Sequence, residues 1–289
     1  MDSSVNGGNT AVFLHIPKTA GTTLYRILDK NYRKRNIYTI WQDGSLDEFN
    51  QLSETARAQV NLLRGHFGYG LHTRLPRPAN YFTFVRHPLE RTLSYYHFVR
   101  RTTTHYCHPL VTTRGLSVQQ FVESGQDPMV DNAQTRLLAG LETGHELPAG
   151  GCTRELLEQA KRNLRDHIAV TGLVEDFDAA LLLMQRVFGW RSVYYAEQNV
   201  TPATAKRAEL PAAARAAIEQ VNALDVELYA YARELFAAQR RQLGAAFEAD
   251  LQRFQTTNRR VRPVLRVIWG LPGFSLRTAL RNSLRSERR

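Results

Sequence analysis

Along the chain, short runs of nearly unbroken apolar residues alternate with stretches in which apolar residues recur every three or four positions. Ala11, Val12, Phe13, Leu14 and Ile16 form the first run, Tyr81-Phe82-Thr83-Phe84-Val85 another, and His167 to Val174 a third. Runs of this kind suit strands buried on both faces. Residues 37–40 and 193–196 read as shorter strands. Helical spacing follows at Leu24, Ile27 and Leu28, at Leu89, Leu93 and Tyr96, and over 177–188. Ser45 with Glu48 predicts a capped helix over 46–61, and Ser117 with Gln120 a shorter one. Residues 131–139 read as a helix ended by Gly140, and 153–165 as another. Pro211 opens an Ala-rich helix, and Asp225 caps a long one reaching about Gln255. Such alternation predicts an α/β fold: a P-loop-like parallel sheet flanked by helices on both faces, with a helical C-terminal extension. No internal repeat is present.

The polar residues between the first run and its helix carry the first chemistry. Pro17 ends the strand, and Lys18, Thr19, Ala20, Gly21, Thr22 and Thr23 lead into the helix. The first N–H groups of a helix lack internal partners, and the helix dipole favours an anion there. Gly21 admits close backbone approach, Lys18 supplies a full charge, and Thr22 and Thr23 supply hydroxyls. The order differs from the nucleotide-triphosphate loop GxxxxGK[ST], because Lys18 precedes Gly21. A phosphate site is therefore expected, and ATP hydrolysis is disfavoured.

A second anion site is expected where the strand at 81–85 ends. Arg86 stands at its carboxyl end, and Ser94 lies in the following helix. A kinase or ATPase would place an acid after such a strand to hold Mg²⁺. An arginine fork with a serine hydroxyl suits a phosphate instead. Two anion sites imply a nucleotide with phosphates at both ends. A strand-end ion pair of Arg86 with Glu90 is the alternative role for that arginine. Between the two sites lies Gly65-His66-Phe67-Gly68-Tyr69-Gly70-Leu71-His72, a glycine-rich stretch with two histidines suited to proton transfer.

The segment Phe13-Leu14-His15-Ile16-Pro17-Lys18-Thr19-Ala20-Gly21-Thr22-Thr23-Leu24 resembles the 5′-phosphosulfate loop of sulfotransferases, in the heparan-sulfate 2-O/6-O branch. Residues 81–94 resemble that family's 3′-phosphate motif, with Arg86 and Ser94 at its Arg and Ser. The resemblance implies 3′-phosphoadenosine-5′-phosphosulfate as sulfuryl donor, no metal, and an acceptor hydroxyl on a glycan or small molecule. It implies Lys18 as the charge facing the leaving group and His66 as general base, with His72 the alternative. It also implies donor contacts from Pro17 to Thr23 and, in a closing loop, from Asn199 and Thr201. Acceptor contacts are expected from Arg64, His72, Asn132 and Arg136. His15 matches the family pattern too, and reads as a hydrogen-bonded core histidine. Competing classes are a nucleotide kinase and a nucleic-acid-binding protein.

Charge alters the picture only at one end. The chain has a net charge of +11, and residues 256–289 carry +8 of it, from nine arginines and one acid. Nucleic-acid binding by the main domain is therefore disfavoured. The division expected is a domain over 1–255 and a basic amphipathic tail over 256–289. Leu276, Leu280 and Leu284 beside Arg277, Arg281 and Arg285 suit an anionic membrane surface or an acidic polymer. The only two cysteines, Cys107 and Cys152, are expected to be free thiols, and a zinc cluster of His97, His105, Cys107 and His108 fits no common spacing. With no apolar N-terminal run, a cytoplasmic protein is expected, with peripheral membrane contact as an option.

Overall fold

The computed structural model describes residues 8–41, 44–196 and 210–270. Five strands, β1 (Thr10–Leu14), β2 (Ile37–Ile40), β3 (Leu62–Gly65), β4 (Ala79–Val85) and β5 (Ile168–Leu173), form one sheet in the order β2-β3-β1-β4-β5. Every pairing is parallel. All five residues of β1 are buried, so both faces of the central strand are covered. The helices are α1 (Gly21–Asn31), α2 (Ser45–Gln51), α3 (Glu54–Ala58), α4 (Pro88–Arg101), α5 (His108–Thr112) and α6 (Val118–Glu123). They continue with α7 (Ala133–Ala139), α8 (Arg154–Asp166), α9 (Phe177–Phe188), α10 (Ala212–Val221) and α11 (Ala223–Gly270). The expected α/β architecture is the one observed.

Three local expectations are corrected. Residues 62–65 form a strand rather than the lead-in to a loop. At four residues, with an arginine in it, β3 has no apolar signature, and its pairing with both β1 and β2 makes it a strand. The helix expected over 46–61 is two helices broken at Leu52. Ser45 bonds Trp41 instead of capping, and Ser53 caps the second piece. Residues 193–196 are not a strand among the described residues.

The long helix also differs at both ends. Asp225 sits inside α11 and its carboxylate caps α7, accepting from the Gln134 and Thr135 amides at 3.1 and 2.7 Å. The helix runs past Gln255 to Gly270, kinked at Gly244 where φ is 66°. Its last turn returns to α1: Arg26 donates to the Trp269 carbonyl at 2.8 Å, and Lys30 lies 4.7 Å from the Trp269 ring. The leucine repeat at 276–284 lies outside the described residues.

Register places the site. Leu14 and Ile40 both pair with Gly65, so β1, β2 and β3 end level with one another. A Cβ on Gly65 would meet the Ile40 carbonyl oxygen at 1.9 Å, and its φ is 149°, so only glycine fits there. The next residues, His15, Trp41 and His66, are thereby gathered at one edge. Carboxyl ends of parallel strands are where ligands bind in open α/β sheets.

Candidate active site

The turn after β1 departs from ordinary backbone at two non-glycine residues. Lys18 and Ala20 have φ of 74° and 65°, in the left-handed region that costs residues with a Cβ. Ala20 is the N-cap of α1 and provides no side-chain cap, so among the described residues side chains leave the first amides of α1 to an anion. The Thr19 hydroxyl, buried, donates to the Ile16 carbonyl at 2.8 Å and closes the turn. Thr22 is exposed and Thr23 buried, while Pro17, Lys18 and Ala20 are partly exposed. Gly21 has a role beyond flexibility. A Cβ there would meet His15 Nε2 at 2.0 Å, so the imidazole occupies the space against the start of α1.

Lys18 and Arg86 are neighbours. The Arg86 guanidinium donates to the Lys18 carbonyl at 3.3 Å and pairs with Glu90 at 3.4 Å, the ion pair weighed from the sequence. Lys18 Nζ lies 4.6 Å from the Phe98 ring centroid. Burial, then the charges of Arg101, Arg86 and Arg91, pull the Lys18 ammonium down to about 8. Ser94 lies on α4 one turn before Phe98, on the same helix face, and is partly buried. So much positive charge around one partly buried lysine is a setting for a multiply charged anion.

His66 completes the group. Its Nδ1 lies 2.9 Å from the His15 carbonyl oxygen. A carbonyl only accepts, so Nδ1 carries the proton and Nε2 of the neutral ring keeps a lone pair. Burial lowers the His66 imidazole to about 4, the His15 hydrogen bond opposing and the Lys18 charge assisting. The His15 ring packs on it at a tilt, with centroids 4.4 Å apart, and the Trp41 ring lies 5.8 Å away. His15 is buried, lies 3.2 Å from the Tyr25 hydroxyl, and is held well below its ordinary value by burial, then by His66, Lys18 and Arg64. It is the hydrogen-bonded core histidine expected, although it lies one residue beyond β1.

The structure gives the acceptor-side residues partners of their own and sets His72 at the other edge of the sheet. His72 bonds the Tyr81 hydroxyl, and its cluster includes Tyr69 and His167 toward the amino ends of the strands. From Tyr81 to Arg86 is roughly 16 Å of strand. Arg64 is buried, pairs with Asp29 at 2.8 Å, donates to Thr39 and Tyr25, and lies 4.5 Å from the Tyr25 ring. Asn132 caps α7 and bonds Asp131, Val221 and the Asp225 amide. Arg136 is fully buried, with bonds from Nε, Nη1 and Nη2 to Asp131, Gly144, Leu147 and Pro148. Its guanidinium has no donor left for a ligand, so Arg136 and Asn132 are scaffold. Asn199 and Thr201 lie outside the described residues.

Among the described residues one trio could approach metal-ligand geometry: His105, Cys107 and Asp127, with ligand-capable atoms within 4.8 Å of one another. Those atoms are engaged already. The Tyr95 hydroxyl bridges His105 and Asp127, and the Cys107 amide donates to His105. His97 and His108 do not join them. Both cysteines are free thiols, as expected.

Residues 2–141 match the model of the sulfotransferase family. The chain is similar to that family over this part of its length. It is 28% identical to heparan-sulfate 6-O-sulfotransferase 3 of Homo sapiens, over 82% of this chain and 59% of that protein. With heparan-sulfate 6-O-sulfotransferase 1 of Homo sapiens the identity is also 28%, over 80% of this chain and 66% of that protein. The chain thus spans about three fifths to two thirds of the length of these relatives. The crystal structure of mouse sulfotransferase SULT7A1 complexed with PAP aligns with a TM-score of 0.39 and 12% identity, covering 74% of this chain and 68% of that one.

Sequence reasoning missed Phe98 and Gln134. Gln134 bonds both backbone groups of Arg86, at 2.9 Å each. The residues are 48 apart, and no local pattern links them.

Proposed function

We propose that this chain moves a sulfuryl group from 3′-phosphoadenosine-5′-phosphosulfate to a carbohydrate hydroxyl. The observation that carries the reading is the His66 tautomer, fixed by the His15 carbonyl, on a ring electrically coupled to Lys18. The residues fit the donor. Two cations, Lys18 and Arg86, meet beside a helix start whose N-cap residue, Ala20, supplies no side-chain cap. When bound, the donor supplies an activated sulfuryl group whose departing 5′-phosphate gains negative charge.

The chain's own groups then have distinct tasks. His66 Nε2 takes the proton of the acceptor hydroxyl as its oxygen attacks sulfur and the sulfur–oxygen bond to the 5′-phosphate breaks. Lys18 and the α1 amides meet the charge on the leaving phosphate, and being fixed beforehand they need no reorganisation. Arg86, with Ser94 on the neighbouring helix, takes the 3′-phosphate. The identities of the relatives support a glycan acceptor. Transfer of labelled sulfate from the donor into a panel of polysaccharides tests the reading. Label is expected in a glycan with the full chain and not with His66→Ala; no transfer to any hydroxyl compound would refute it.

A peripheral membrane contact is a second proposal, favoured by one surface. Val264 and Val267 are 60% and 66% exposed on α11, beside exposed Arg260 and Arg266. Full-length chain should sediment with anionic vesicles and a 1–255 truncation should not; equal sedimentation would remove the idea.

A further inference from the structure

Arg86 is the first residue beyond β4, where the sheet no longer fixes the backbone. Its N–H donates to Gln134 Oε1 at 2.9 Å, and its carbonyl accepts from Gln134 Nε2 at 2.9 Å. One side-chain amide therefore supplies both partners that a neighbouring strand would have given. Gln134 is 1% exposed, so its position leaves little freedom.

Gln134 is itself held from a third element. The Asp225 carboxylate accepts from the Gln134 amide at 3.1 Å, and from the Thr135 amide and hydroxyl at 2.7 and 2.8 Å. The Asp225 amide donates back to Asn132 Oδ1 at 2.9 Å. The residue after Arg86 is anchored as well, the His87 amide donating to Glu175 at 2.8 Å. Two consecutive residues at the strand end are thus held by α7 and by the turn after β5. An arginine has four rotatable side-chain bonds, so an orientation error in its backbone is magnified at the guanidinium.

We infer that Gln134 is a positioning residue that aims Arg86 at the 3′-phosphate and so sets selectivity for a nucleotide bearing one. The inference rests on the donor reading above. Gln134 touches no ligand in this scheme and acts only through Arg86.

Calorimetric titration of the full chain with adenosine 3′,5′-bisphosphate and with adenosine 5′-monophosphate tests it. Gln134→Ala should weaken the bisphosphate roughly tenfold and the monophosphate less than twofold. In an Arg86→Ala background the same change should have no further effect on the bisphosphate. Gln134→Glu, which keeps an acceptor for the Arg86 amide but turns a second oxygen toward the Arg86 carbonyl, should show the same selective loss and serves if the alanine variant does not fold. Equal weakening of both nucleotides, or a full loss persisting without Arg86, overturns the positioning role. A wild-type chain that binds the two nucleotides alike overturns the donor reading and this inference together.

Discussion

At the carboxyl edge of the sheet, His66 packs on the tilted His15 ring at 4.4 Å and lies 5.8 Å from the Trp41 ring. Toward the amino edge, His72 packs on Tyr69 and Tyr81 at 5.2 and 5.6 Å. Both are histidines among aromatic rings, both on one glycine-rich stretch, and burial lowers both. Their partners differ. A carbonyl oxygen fixes the tautomer of His66, and Lys18 with the start of α1 stands beside it. His72 meets a hydroxyl, which accepts or donates, and its charged neighbour is another histidine, His167. In a parallel sheet the helix that follows a strand presents its N-terminus at the strand's carboxyl end, so the proposed anion site and the proposed base meet at only one edge.

The largest expected effect separates those histidines. His66→Ala should lower turnover by about 10²–10⁴ with donor binding retained, and His72→Ala should leave turnover within a few-fold. Steady-state sulfate transfer by both variants checks this, and the reverse ranking would move the base to the other edge. Lys18→Ala should reduce turnover by about 10²–10³ and weaken the donor as well. Comparison of turnover with titrated bisphosphate affinity separates its two roles from the single one of His66.

Two arginines extend the contrast. Arg136 is wholly buried and paired with Asp131 at 2.6 Å, whereas the Arg86 side chain is 19% exposed and set beside Lys18. Arg136→Ala leaves a buried carboxylate unpaired and should cost about 3–5 kcal/mol in denaturant unfolding. Arg86→Ala should unfold nearly as the parent does and lose affinity for the bisphosphate. Equal destabilisation by the two would mean that Arg86 is scaffold too.

The smallest effect is on pH. The Lys18 ammonium is the anion-binding form and prevails below about 8 in the ligand-free chain. Bisphosphate affinity should therefore fall as pH rises through about 8, and Lys18→Arg should flatten the fall. In the other direction the proposed base, His66, is active when neutral, a state that burial preserves down to about 4. Turnover should not show the usual histidine decline near 6.5 as pH is lowered. A decline there would place the essential base in a wetter site than the one His66 occupies.

The sequence by itself determined the strand, turn and helix at 11–28, the strand ending at Arg86, and the α/β class. Those signals are local: apolar runs, a proline stop and helical spacing act within a few residues of one another. It also pointed to His66 without distinguishing it from His72, because composition is alike around both and only the edge of the sheet differs. Tertiary structure decided the rest. β3 is a strand because β1 and β2 flank it. Arg136 is scaffold because burial left its donors to the protein's own oxygens. Asp225 caps a helix 90 residues away in the chain rather than its own. Hydrogen-bond partners for buried polar groups are chosen by proximity in space, and nothing in a local pattern of residues records which distant groups will be near.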